Sequence, residues 1–160
     1  MFKQLMSLSF IALLLAATSA SAQDAPPPYG LAIDLDTAKK IMAAAEAEAN
    51  ANQWPVAIAI VDGSGHLVMF QRLDNTQLGS VEVSQQKAKT AALYRRPTKA
   101  FEDRIALGGA DLKLLKLPGL PLEGGLPIIR DGKLIGAIGV SGVQSFQDAQ
   151  VASAGLKAIE

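Results

Sequence analysis

The sequence predicts an α+β domain, one antiparallel sheet with helices packed against it. Two short apolar runs rich in β-branched residues are each broken by a tight Asp/Gly turn, Asp62-Gly63-Ser64-Gly65 and Asp131-Gly132. Segments with apolar residues at helical spacing stand before, between and after these hairpins. Each hairpin has a face to bury and each helix a stripe to bury it with, which is the layer logic of an α+β domain.

The chain opens with Lys3, an apolar run from Leu5 to Ala17, the small-residue pattern Ala20-Ser21-Ala22, and then polar Gln23-Asp24. That order is the layout of a secretory signal, and the run is short for a membrane span. Residues 1–22 are therefore expected to be removed on export, to a periplasm or to the extracellular space. Residues 23–34 contain Pro26-Pro27-Pro28 and read as an extended leader. Residues 35–160 read as one domain, long enough to bury a core without staples.

The first helix is expected from Asp36 or Thr37 to Asn50, capped by those two residues. Leu35, Ala38, Ile41, Met42, Ala45 and Ala49 share one side of it. Val56 to Val61 and His66 to Phe70 form the first hairpin. A second helix opens at Ser80, carries Val83, Ala88, Ala91 and Leu93, and runs out at Arg95-Arg96-Pro97. Thr98 starts a third, with Phe101 and Ile105 inward, closed by Gly108-Gly109. Ala110 to Gly125 has no clear period and reads as a long loop, functional or mobile. Leu126 to Ile129 and Leu134 to Val140 make the second hairpin. Ser145 with Asp148 has the pattern of a capping box opening the last helix.

Composition excludes several function classes. There is no cysteine, so disulfides, thiolate metal sites and a cysteine nucleophile are all absent. Fifteen Lys and Arg face fifteen Asp and Glu, which lacks the basic footprint that nucleic acid requires. No Lys/Arg-rich amphipathic helix is present to hold a membrane surface. The wealth of alanine and glycine suits tight packing of elements, and of copies of the chain against one another.

Several blocks together resemble one known family. They are Pro55-Val56-Ala57-Ile58-Ala59-Ile60-Val61-Asp62 with Gly65-His66-Leu67-Val68; Arg72-Leu73-Asp74; Ser80 with Ser84 and Lys87-Ala88-Lys89-Thr90-Ala91; Gly124-Gly125-Leu126-Pro127; and Ile135-Gly136-Ala137-Ile138-Gly139-Val140-Ser141-Gly142 with Asp148. In order and spacing they resemble the GlcG/HbpS-like haem-binding or haem-degrading proteins, a domain also found at the C-terminus of PduO-type cobalamin adenosyltransferases. The resemblance covers nearly all of the expected mature chain. It implies a five-stranded antiparallel, profilin-like sheet flanked by helices, assembly into a homo-oligomer, and haem as a ligand. Some family members sit instead with glycolate or diol metabolism, so fold does not carry activity across the family.

The residues themselves offer three foci. His66, the only histidine, is the strongest nitrogen ligand for a haem iron, and it follows a turn where side chains are usually solvated. Met42, Tyr94 and Thr90 are open choices for a second iron ligand. Ser80, Ser84 and Lys87 share a helix face and, with Thr90, could hold a carboxylate such as a haem propionate, to which Arg72, Arg95 and Arg96 could add. Gly124, Gly125, Ser141 and Gly142 allow close backbone approach and precede a helix N-terminus, which favours an anion. Together these residues predict a cleft apolar within and cationic at its mouth, for haem or, on a rival reading, for a small hydroxy- or keto-acid. No catalytic triad, carboxylate pair or dinucleotide fingerprint is present.

Overall fold

A computed structural model describes residues 25–160. The candidate signal segment, residues 1–22, lies outside the described residues. The elements are α1 (Leu35–Ala51), β1 (Ala57–Asp62), β2 (Leu67–Arg72), α2 (Ser80–Tyr94), α3 (Lys99–Ala106), a 3-10 helix (Gly109–Lys116), β3 (Gly125–Arg130), β4 (Lys133–Ser141) and α4 (Ser145–Lys157). None of these helices is long and apolar enough to cross a membrane.

Both hairpins form at the expected turns. Asp62 organises the first by accepting bonds from Ser64 N at 2.8 Å and His66 N at 3.0 Å. In the second, Asp131 and Gly132 both take positive φ, 51° and 70°, as a two-residue primed turn requires. The cap of α1 differs from expectation. Asp34, not Asp36 or Thr37, is the N-cap, accepting from Thr37 N at 2.7 Å, because only a residue ahead of the first turn can reach that amide.

The sheet has four strands in the order β2-β1-β4-β3, all antiparallel, where five were expected. Beyond the end of β1, the Pro-rich leader lies beside β4 instead. Leu134 N donates to Pro28 O at 2.8 Å and Gly30 N to Leu134 O at 2.7 Å, making one parallel bridge at Tyr29. The leader goes no further as a strand because prolines 26 to 28 have no N–H to donate.

Side-chain size sorts the two faces. Ile58, Ile60, Ile138 and Val140 point into the larger core, where Ile41, Met42 and Val151 of α1 and α4 cover them. Ala59, Val61 and Ala137 point the other way, against Ala88, Ala91 and Ala92 of α2. Across that second face the register sets Phe70, Ala59, Gly139 and Gly125 in one row over all four strands. A Cβ on Gly139 would collide with Ser84 O and Ala88 N, and one on Gly125 with Lys87 O. The missing side chains are what let α2 lie so close to the sheet.

Gly139→Ala should therefore destabilise the fold, by about 1–3 kcal/mol as overpacking usually does, because the obstacle is backbone and cannot rotate away. A lowered urea midpoint with an unchanged slope is the expected result, and a neutral substitution would mean α2 does not bear on Gly139.

Candidate functional site

The seam between α2, β4 and α4 holds most of the polar residues singled out by the sequence. Lys87 is buried, and its Nζ donates to Asp148 Oδ2 at 2.8 Å and to Val140 O at 3.1 Å. Asp148 is equally buried, and its other oxygen accepts from Val143 N at 3.2 Å. Gly124, at φ 120°, leaves the room for this pair: a Cβ there would stand 2.9 Å from Lys87 Nζ and 2.9 Å from Asp148 Cβ. Burial pushes the Asp148 carboxyl above its ordinary range, against the opposing pull of Lys87 and the Val143 and Gly142 amides.

The neighbours of this pair are inward too. Ser141 Oγ donates to Ser80 Oγ at 3.2 Å, and Ser84 Oγ to Val81 O at 3.3 Å. Gly142 packs against Pro55 O and Gly125 against Thr98. Thr90 Oγ1 donates to Gln86 O at 2.7 Å and accepts from Leu120 N at 2.8 Å, tying α2 to the loop before β3. No buried side-chain nitrogen or oxygen among the described residues lacks a partner.

This corrects the expectation of an open cleft at the serine/lysine face. Ser80, Ser84, Lys87, Thr90, Gly124, Gly125, Ser141 and Gly142 lie along the packed seam of α2 and its loops, where Lys87 and Gly124 close on the protein's own carboxylate. The expected role of Asp148 in a capping box is corrected as well. Gln144 is the N-cap of α4, its N–H donating to Gln147 Oε1 at 3.1 Å, which frees Asp148 to turn inward. Sequence reasoning therefore missed Asp148 as the partner of Lys87, and Thr98, whose hydroxyl accepts from Gly125 N at 3.0 Å. A capping pattern that contained two glutamines was the available signal for the first.

The remaining candidates lie apart. His66 and Arg72 stand at opposite ends of β2, roughly 20 Å apart at the usual rise of a strand. Arg72 is exposed beside a cleft of about 520 Å³ that Trp54 and Gln71 also line. The His66 side chain is 82% exposed, with Nδ1 3.6 Å from Asp62 Oδ2, beyond hydrogen-bonding distance. Its turn rests on α2, where Gly65 abuts the Lys89 side chain, and a cleft of about 470 Å³ runs from Asp62 and Gly63 to Tyr29 and Leu93. Met42 is sealed in the core, and Tyr94 OH is spent on Pro118 O at 2.9 Å. The apolar space beneath the loop, between Tyr94, Phe101, Leu114 and Leu117, amounts to only about 10 Å³.

Lys87→Met tests the seam. It leaves a buried carboxylate without its cation, so about 3–5 kcal/mol should be lost at neutral pH. The sign of the pH dependence follows from the raised folded pKa of Asp148, which rises further without Lys87. A carboxyl harder to ionise in the fold favours folding below its unfolded value, and that advantage goes as pH rises through the folded value. The deficit of the variant should accordingly shrink on acidification, and Lys87→Met with Asp148→Leu should recover most of it. A deficit that is small and independent of pH would contradict a structural pair.

Comparison with known proteins places the chain. Residues 33–157 match the family model described as haem degrading protein HbpS-like. Protein GlcG of Escherichia coli (strain K12) is 45% identical over 104 residues, 65% of this chain and 77% of that protein. The crystal structure of HbpS superposes with a TM-score of 0.75 at 30% identity, covering 82% of this chain and 92% of that one. A crystal structure of a PduOC:Heme complex superposes with a TM-score of 0.74 at 31% identity, covering 81% and 96%. With a matching family model across the folded domain, and a four-stranded sheet that superposes on these structures, the chain belongs to the HbpS-like family of haem-degrading proteins.

Proposed function

We propose that this protein is an exported haem-binding protein, acting in haem sequestration, sensing or slow degradation. The observation that carries the proposal is the likeness to the PduOC:Heme complex, which extends over 96% of that chain. The chemistry of the chain's own residues fits the group at one place, the turn that carries His66. An exposed imidazole is available there, with the Asp62 carboxylate 3.6 Å from Nδ1. The adjoining cleft offers Tyr29 and Leu93 as apolar surface, and Lys89, whose side chain Gly65 abuts, stands near as a cation for a propionate.

In this reading His66 supplies the iron ligand, and the aromatic and leucine surfaces exclude water from one face. Haem bound there would supply iron-centred redox chemistry, its potential set by the ligand and by exposure. Self-association belongs to the same proposal, supported by large apolar side chains left exposed at Leu31, Leu78, Leu107 and Phe146.

Titration of hemin into the purified protein should shift the Soret band with a stoichiometric end point, and His66→Ala should weaken binding at least tenfold. A spectrum that stays that of free hemin would overturn haem binding. Equal binding by His66→Ala would overturn the ligand. Mass spectrometry of the exported protein should find Gln23 at its N-terminus, and light scattering a multiple of the chain mass. An intact leader or a monomer would contradict those parts of the proposal.

A further inference from the structure

A second cleft, of about 560 Å³, lies where the chain turns from α2 into α3, under the proline leader. Its floor is apolar, formed by Pro97, Ala100, Pro127 and Ile129, and its rim carries Arg95, Arg96 and Arg104. Arg104 is already neutralised, with Nη2 donating to Asp111 Oδ1 at 2.6 Å. Arg95 and Arg96 have no carboxylate partner among the described residues, and both are half-buried. No acidic side chain lines the cleft.

Both guanidiniums are held in place. Arg95 Nη1 donates to Pro27 O at 3.2 Å while the group lies over the Tyr29 ring. Arg96 Nε donates to Tyr94 O at 3.2 Å, with the group 5.8 Å over the Phe101 ring. A guanidinium has five N–H donors, so each arginine keeps most of its own unspent. Arg95 also adopts the left-handed conformation, φ 53°, at a helix end where glycine is the usual residue. The dipole of α2 favours a cation at this end. It does not account for two fixed, half-desolvated cations over an apolar floor, which need an anion to offset their lost hydration.

We propose that this cleft binds a small organic carboxylate with an apolar body, the carboxylate forked between Arg95 and Arg96 and the hydrocarbon lying on Pro97, Pro127 and Ile129. Planar, bidentate pairing is what guanidinium offers a carboxylate, and the volume suits a small molecule. The site is separate from the His66 turn and stands whether or not haem binds there.

Calorimetry on the protein with octanoate, octanol, acetate and inorganic phosphate tests it. Octanoate should bind saturably at one site, with octanol and acetate each at least tenfold weaker, since one lacks the charge and the other the body. Arg96→Gln, which leaves the leader tether of Arg95 intact, should weaken octanoate at least tenfold, while an unchanged circular dichroism spectrum shows that the fold survives. Arg95→Gln should do the same. Phosphate binding as tightly as octanoate would overturn the ligand class, and octanoate binding unaffected by either variant would overturn the site. Displacement of octanoate by hemin would make the cleft part of the haem site and overturn its separateness.

Discussion

The arrangement depends on how closely α2 approaches the sheet, and the Lys87–Asp148 pair both requires and fixes that approach. A lysine ammonium and a carboxylate can be taken out of water together only if they meet at hydrogen-bonding distance and their remaining capacity is filled. Here Val140 O takes a second ammonium proton and Val143 N serves the second carboxylate oxygen. Four segments end at one point: α2, β4, the Gly124 approach to β3, and α4. Any drift of α2 away from the sheet would separate the charges in a medium that cannot solvate them.

The sheet is built to permit this. On the face toward α1 and α4 it carries isoleucine and valine, and on the face toward α2 alanine and glycine. The small face lets helix backbone and strand backbone nearly touch, so the polar groups along α2 find partners in the sheet and its loops rather than in solvent. A site that looks, in one dimension, like a ligand-binding stripe becomes in three dimensions a structural seam. The surfaces left for chemistry are consequently peripheral: the turn at His66, the Trp54 cleft and the arginine corner under the leader.

That division has a functional consequence for a family whose name speaks of haem. The buried polar side chains of the described residues all have hydrogen-bond partners, and the clefts beside Arg72, beneath the leader and at the His66 turn lie at the outer surface.

The sequence by itself determined the local geometry. Paired glycine and aspartate turns, helical spacing and breakers at Arg95-Arg96-Pro97 were sufficient to locate both hairpins and all four α-helices, because these signals act within a few residues. The blocks from Pro55 to Val68 and from Gly124 to Gly142 also carried the family. Only the tertiary structure decided which polar residues face inward. Lys87 and Asp148 are separated by 61 residues, and nothing local distinguishes a lysine bound for solvent from one bound for a buried carboxylate. The strand count, four rather than five, and the place of the leader beside Leu134 were likewise settled by which edge of β4 the chain left uncovered. Long-range burial, not local propensity, makes those choices, since they are paid for in desolvation that no single segment experiences alone.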